Sequence, residues 1–189
     1  MRVCETGVVS SREIRDSLDA VGSNPDADWR RMLREAVADT HHLVHLMGVG
    51  NELRTDDAVG LEIISSLRSR LGSAPTPGIK IHAGSPMPER LLAKLASEEG
   101  RIIVFDAVEA SGGPGEVVFR SMADTEYGFF GTHNIPLRLV PGLTARLGDV
   151  FIVGVQPASL EVGQGLTGKV RESVREIVGV VAEGVAERV

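Results

Sequence analysis

The 189-residue chain is long enough for one domain with a real core, and its 42% hydrophobic and 24% charged residues are ordinary globular values. A net charge of −6 offers nucleic acid no basic face, and the single Cys4 excludes a disulfide framework and a thiolate zinc site. No apolar run approaches the roughly 18 residues of a membrane span, and the N-terminus lacks a signal-peptide core, so the expectation is a cytoplasmic protein with no membrane insertion.

Residues 1–40 read as a helical N-terminal extension of two short helices. Ser10-Ser11-Arg12-Glu13 holds a capping box for the first, and Asn24-Pro25 supplies a cap followed by proline for the second. Trp29, Met32, Leu33, Ala36 and Val37 then follow one helical stripe, which either packs on the chain's own surface or docks a partner. His41, His42 and His45 come next, but His41 and His42 on a strand would face opposite sides, which argues against a metal cluster.

From residue 41 to residue 189 the chain reads as a single α/β domain. Leu43 to Val49 is the first strand, followed by the turn Gly48-Val49-Gly50-Asn51 and by Asp56-Asp57 at the start of a helix. That helix buries Val59, Ile63, Ile64, Leu67 and Leu71 and stops at the Gly72–Gly78 breaker. Ile79 to Ala83 is a short strand. Ser85-Pro86 opens a helix with Leu91, Leu92, Leu95 and Ala96 inward. Arg101 to Ala107 is a continuous apolar strand, as expected where helices cover both faces, and it ends in Asp106. Glu116 to Ser121 is an additional strand, a candidate for antiparallel pairing. Thr132-His133-Asn134 precedes an expected amphipathic helix through Leu147, Val150 to Val155 is the last strand, and Thr167 caps a long final helix. Alternating strands and helices imply a mostly parallel sheet between helical layers.

Two loop patterns resemble nucleotide sites and fail on inspection. Gly48-Val49-Gly50 carries Leu53 where a dinucleotide fingerprint needs its third glycine. Gly163 to Lys169 matches a phosphate loop up to its lysine, but Val170 stands at the Ser/Thr position. What remains is a set of carboxylates and an imidazole at strand ends: Asp56 and Asp57 after the first, Asp106 at the third, and His133 in a later loop. In an open parallel sheet these ends share one rim. Two carboxylates and one imidazole make an oxygen- and nitrogen-rich half-shell suited to a divalent metal that also touches substrate. Each member also has a structural alternative. Asp56 or Asp57 could cap the helix, Asp56 being the better candidate, while Asp106 and His133 could be satisfied within loops.

The run Gly-Val-Gly-Asn-x-Leu-x-x-Asp-Asp-x-x-Gly from Gly48 to Gly60 resembles the signature of the hydrogenase maturation endopeptidases, which process the large subunit of nickel–iron hydrogenases. The resemblance continues in order through Phe105-Asp106-Ala107, Thr132 to Leu137, Val153 to Pro157 and Gly165-Leu166-Thr167, spanning residues 43–185. Asp56-Asp57 together with the Thr132–Leu137 block is most similar to the formate-hydrogenlyase-type branch. The resemblance implies a three-layer α/β sandwich with a twisted, mostly parallel five-stranded sheet. It also implies an endopeptidase that removes the C-terminal extension of a hydrogenase large-subunit precursor after nickel insertion. Asp57, Asp106 and His133 would be both its catalytic and its nickel-contacting residues, with the nickel carried by the precursor and the resting enzyme metal-free. Two rival readings differ in class: a metal-sensing chaperone that docks the precursor without cutting it, and a dinucleotide-binding enzyme.

Overall fold

Alternation along the strands divides the core in two. In the strand Arg101–Ala107 (β3), Ile103, Phe105 and Ala107 join one buried cluster, and Ile102 and Val104 join another. All seven residues of β3 are buried, which is what a strand covered on both faces requires. This computed structural model describes residues 28–72, 76–84, 88–110, 112–124 and 142–188. The other described strands are Val44–Gly48 (β1), Ile79–Ile81 (β2), Val117–Ser121 (β4) and Val150–Val155 (β5). They form a five-stranded sheet in the order β2-β1-β3-β5-β4, parallel throughout except for β4, which runs antiparallel to β5 at the edge. The mostly parallel five-stranded sheet read from the sequence is therefore present, with its additional strand antiparallel.

Helices cover both faces. Trp29–Ala38 (α1), Val59–Leu71 (α2) and Gly168–Ala186 (α4) share the larger cluster, while Pro88–Leu95 (α3) packs on the smaller one. The stripe of α1 meets the chain itself: Trp29, Met32, Leu33, Ala36 and Val37 are all buried, and α1 packs against α4. The capping box at Ser10 and the Asn24-Pro25 start lie outside the described residues, as does the Ser85-Pro86 start. The helix expected to run through Leu147 is described only at its end. There Leu143 and Leu147 are buried, but Thr144–Asp149 forms a 3-10 helix. Arg146 anchors that piece by donating from Nη1 to Leu95 O at 3.0 Å and to Glu98 O, and from Nη2 to Gly100 O. Those carbonyls belong to the end of α3 and the turn after it.

The end of the sheet away from the strand C-termini is held by charge. The buried Arg101 places Nη1 2.7 Å from an Asp39 carboxylate oxygen, a contact too bent for a hydrogen bond, and Arg188 donates to Val37 O and Asp39 O at 2.6 Å each. Among the described residues no helix is long and apolar enough to cross a membrane.

Candidate active site

The opposite rim carries the carboxylates. β1 runs into Val49, whose N–H donates to Phe105 O at 2.8 Å, so the turn after β1 begins level with the end of β3. Asn51 then closes an Asx turn, its Oδ1 accepting from Leu53 N–H at 3.0 Å. Asn51 N–H donates to Asp57 O at 3.2 Å, and Asp57 N–H to Arg54 O at 2.8 Å. The loop thus folds back and delivers the 3-10 turn Thr55–Ala58, and with it both aspartates, onto the head of α2.

Two glycines make that approach possible. A Cβ on Gly60 would fall well inside contact distance of the Phe105 and Val49 carbonyl oxygens, and one on Gly48 would strike the Gly60 carbonyl. Helix α2 therefore rests backbone to backbone on β1 and β3. Asp57 is 3% exposed and Asp106 2% exposed; the turn bearing Asp57 packs against β3, whose last residues include Asp106. Asp106 Oδ1 accepts from its neighbour Ala107 N–H at 2.8 Å. The tertiary structure so gathers Asp57 and Asp106 at one rim. His133, the third residue expected there, lies outside the described residues. Among those described, no group of three or more His, Cys, Asp or Glu is arranged to hold a metal ion.

Asp56 does not cap its own helix, contrary to the expectation from its position. No side chain caps the 3-10 turn or α2. Its fully buried carboxylate instead accepts from Ala158 N–H at 2.9 Å, Ser159 N–H at 3.1 Å, Thr167 N–H at 2.7 Å and Thr167 Oγ1–H at 3.0 Å. These donors lie 102 to 111 residues away, so no local spacing announces them. Asp56 fastens the site turn to the loop between β5 and α4. The same bonds dispose of the phosphate-loop resemblance, because the Thr167 amide at the helix start is already taken and Lys169 pairs with Glu172 at 3.7 Å.

The other expected histidines separate. His42 Nδ1 lies 2.9 Å from Asp39, whereas His45 is fully buried in β1, with Nε2 3.0 Å from Glu99 O and Nδ1 3.0 Å from His82 Nε2. Donation to the Glu99 carbonyl leaves His45 Nδ1 as the acceptor of an N–H from His82. Gln156, which follows β5, uses Oε1 to accept from Ala110 N–H at 2.6 Å.

Beside the aspartate turn lies a cleft of 680 Å³ bounded by Gly50–Leu53, by Leu61 and Arg68 of α2, and by Ala83 and Gly84 after β2. A second, of 560 Å³, lies between α2 and α4, with Glu52, Gln164 and Arg171 on its wall. The chemistry available at the rim is that of two buried carboxylates, and the loop leading to Asp57 lines the first cleft.

A profile of the family described as HycI: Hydrogenase maturation protease matches residues 62–184. A Methanocaldococcus jannaschii protein provisionally named a hydrogenase maturation protease is 27% identical over 140 residues, 70% of this chain and 82% of its own. The crystal structure of the nickel–iron hydrogenase maturation protease HycI from Thermococcus kodakarensis superposes with a TM-score of 0.63 at 26% identity, covering 76% of this chain and 92% of that one. The hydrogenase maturating endopeptidase HybD from E. coli superposes at 0.55 with 26% identity, over 72% of this chain and 87% of that chain.

Proposed function

Since the chain belongs to the hydrogenase maturation protease family, and so is a peptidase, we propose that it removes the C-terminal extension of a nickel–iron hydrogenase large-subunit precursor once nickel is in place. The observation that supports this reading is that Asp57 and Asp106, both buried, sit on elements packed together at the rim, next to the Gly50–Leu53 loop that lines the 680 Å³ cleft. The precursor brings the nickel as part of the substrate. Asp57 and Asp106 contribute oxygen donors to it, and His133 contributes a ring nitrogen. Carboxylate and imidazole donors suit a divalent ion of this kind. Holding the nickel places the precursor's C-terminal segment in the cleft, and positioning of that sort lowers a barrier by several kcal/mol.

Hydrolysis adds water across the scissile amide. A carboxylate at the rim takes the proton as the water oxygen attacks and then delivers it to the leaving amine, and the substrate's own metal ion would make that water more acidic. Asn51 shapes the turn through its side-chain oxygen, which accepts from Leu53 N–H. The single cysteine and the acidic net charge fit a reaction carried out in the cytoplasm.

The test is incubation with a purified nickel-loaded precursor, followed by mass spectrometry of the precursor's C-terminus. The native chain shortens it, while Asp57→Ala and His133→Ala leave it intact and remain folded by circular dichroism. Full cleavage by both variants would refute the site. An untouched precursor with the native chain would refute the function.

A further inference from the structure

Resting on the protease reading, we propose that Leu53 and Val162 form the docking ridge for the precursor, and that the ridge takes an apolar segment flanked by lysine or arginine. Among the described residues these two are the large hydrophobic side chains left exposed, Leu53 at 66% and Val162 at 87%. They stand on neighbouring loops. Gly163, next to Val162, donates its N–H to Leu53 O at 3.0 Å, and Thr55 N–H donates to Gly163 O at 3.0 Å. Arg54 Nε reaches Leu160 O at 3.0 Å, and Thr55 Oγ1 reaches Ser159 O at 2.6 Å. The backbone under both side chains is thus fixed, so their exposure is built in and is not the by-product of a loose loop. Apolar side chains held in water at adjacent points mark a surface that another molecule covers.

Position and charge identify the occupant. Leu53 lines the 680 Å³ cleft, and its turn is the one that returns to Asp57 through the Asn51–Asp57 and Asp57–Arg54 bonds. A molecule seated on the ridge therefore lies on the loop that carries the candidate site. Glu52 and Glu161 flank the apolar pair, both are exposed, and among the described residues neither has an ion-pair partner. Arg54, the nearest cation in sequence, donates Nε to the Leu160 carbonyl and forms no ion pair with either glutamate. Two unpaired carboxylates beside two apolar side chains complement a cationic-and-apolar stretch of the partner.

The experiment compares the native chain with L53S/V162S in direct binding to the immobilised nickel-loaded precursor and in cleavage of it. The double variant binds at least about tenfold more weakly, as removal of two central apolar contacts does, and KM rises in step. Its unfolding midpoint stays at the native value because neither side chain is buried. L53M/V162I binds as the native chain does. E52Q/E161Q slows association at low salt, and the difference disappears at high salt. Binding by L53S/V162S within twofold of native overturns the ridge while leaving the protease reading standing. Binding that depends on the ridge, with the precursor left uncut by the native chain, keeps the ridge and removes the protease reading. Concentration-dependent dimerisation of the native chain that L53S/V162S abolishes would assign the ridge to a second copy and overturn the proposal.

Discussion

Two adjacent aspartates with different duties give the sharpest test of this structure. Replacing Asp56 by alanine strips four donors of their acceptor: the amides of Ala158, Ser159 and Thr167 and the Thr167 hydroxyl. A hydrogen bond to a charged group contributes about 1.5–3 kcal/mol, but bonds to one carboxylate are not additive, and breaking a buried charged network costs about 3–5 kcal/mol in all. Asp56→Ala is therefore expected to lose about 3–5 kcal/mol. Asparagine separates charge from shape. Oδ2 of Asp56 accepts three of the bonds and Oδ1 only the one from the Thr167 amide. An asparagine with its oxygen toward the three donors sets its amide group against one N–H, so Asp56→Asn costs about 1–3 kcal/mol. Urea titration read by circular dichroism supplies both numbers, and hydrogen exchange at the Thr167 amide reports whether the tie has opened. The reasoning fails if Asp56→Ala loses less than about 1 kcal/mol, or if Asn and Ala cost the same.

Further expectations follow from the packing. Alanine normally improves a helix over glycine by about 1 kcal/mol, yet Gly60→Ala should lower the urea midpoint by an amount equivalent to about 1–3 kcal/mol, because the new methyl meets the Phe105 and Val49 carbonyls; processing of the precursor should fall further, since α2 carries the site turn. Arg146→Lys should lose nearly as much stability in calorimetry as Arg146→Ala, because a lysine cannot reach the Leu95, Glu98 and Gly100 carbonyls together. Burial and the neighbouring His45 hold His82 below its ordinary value of 6.5, and Lys94 and Lys80 add to this against the opposing Glu98. A histidine depressed in the folded state is protonated more readily when unfolded, so stability should decline as pH falls below about 6.5. His82→Gln should flatten that limb of a stability–pH series between pH values of about 5 and 8, and an unchanged slope would rule His82 out as its source.

Much of the molecule was legible in the amino-acid order, because hydrophobic periodicity is a local property. The continuous apolar run of Arg101–Ala107 announced a strand covered on both faces, and the stripe from Trp29 to Val37 announced a buried helix face. The run from Gly48 to Gly60 marked the turn where the chemistry is expected, and its glycines prove to be the points where α2 rests on β1 and β3. Asp56 was the better structural candidate of the pair from its position, but tertiary structure alone decided what it ties together. Asp56 and Asp57 are the same residue type on the same turn, and the donors that claim Asp56 come from more than 100 residues downstream. The exposure of Leu53 and Val162 was equally out of reach, since it depends on two distant loops bridging at Gly163. A sequence states its short-range preferences openly; which side chains meet across the fold is settled only when the sheet has brought their elements together.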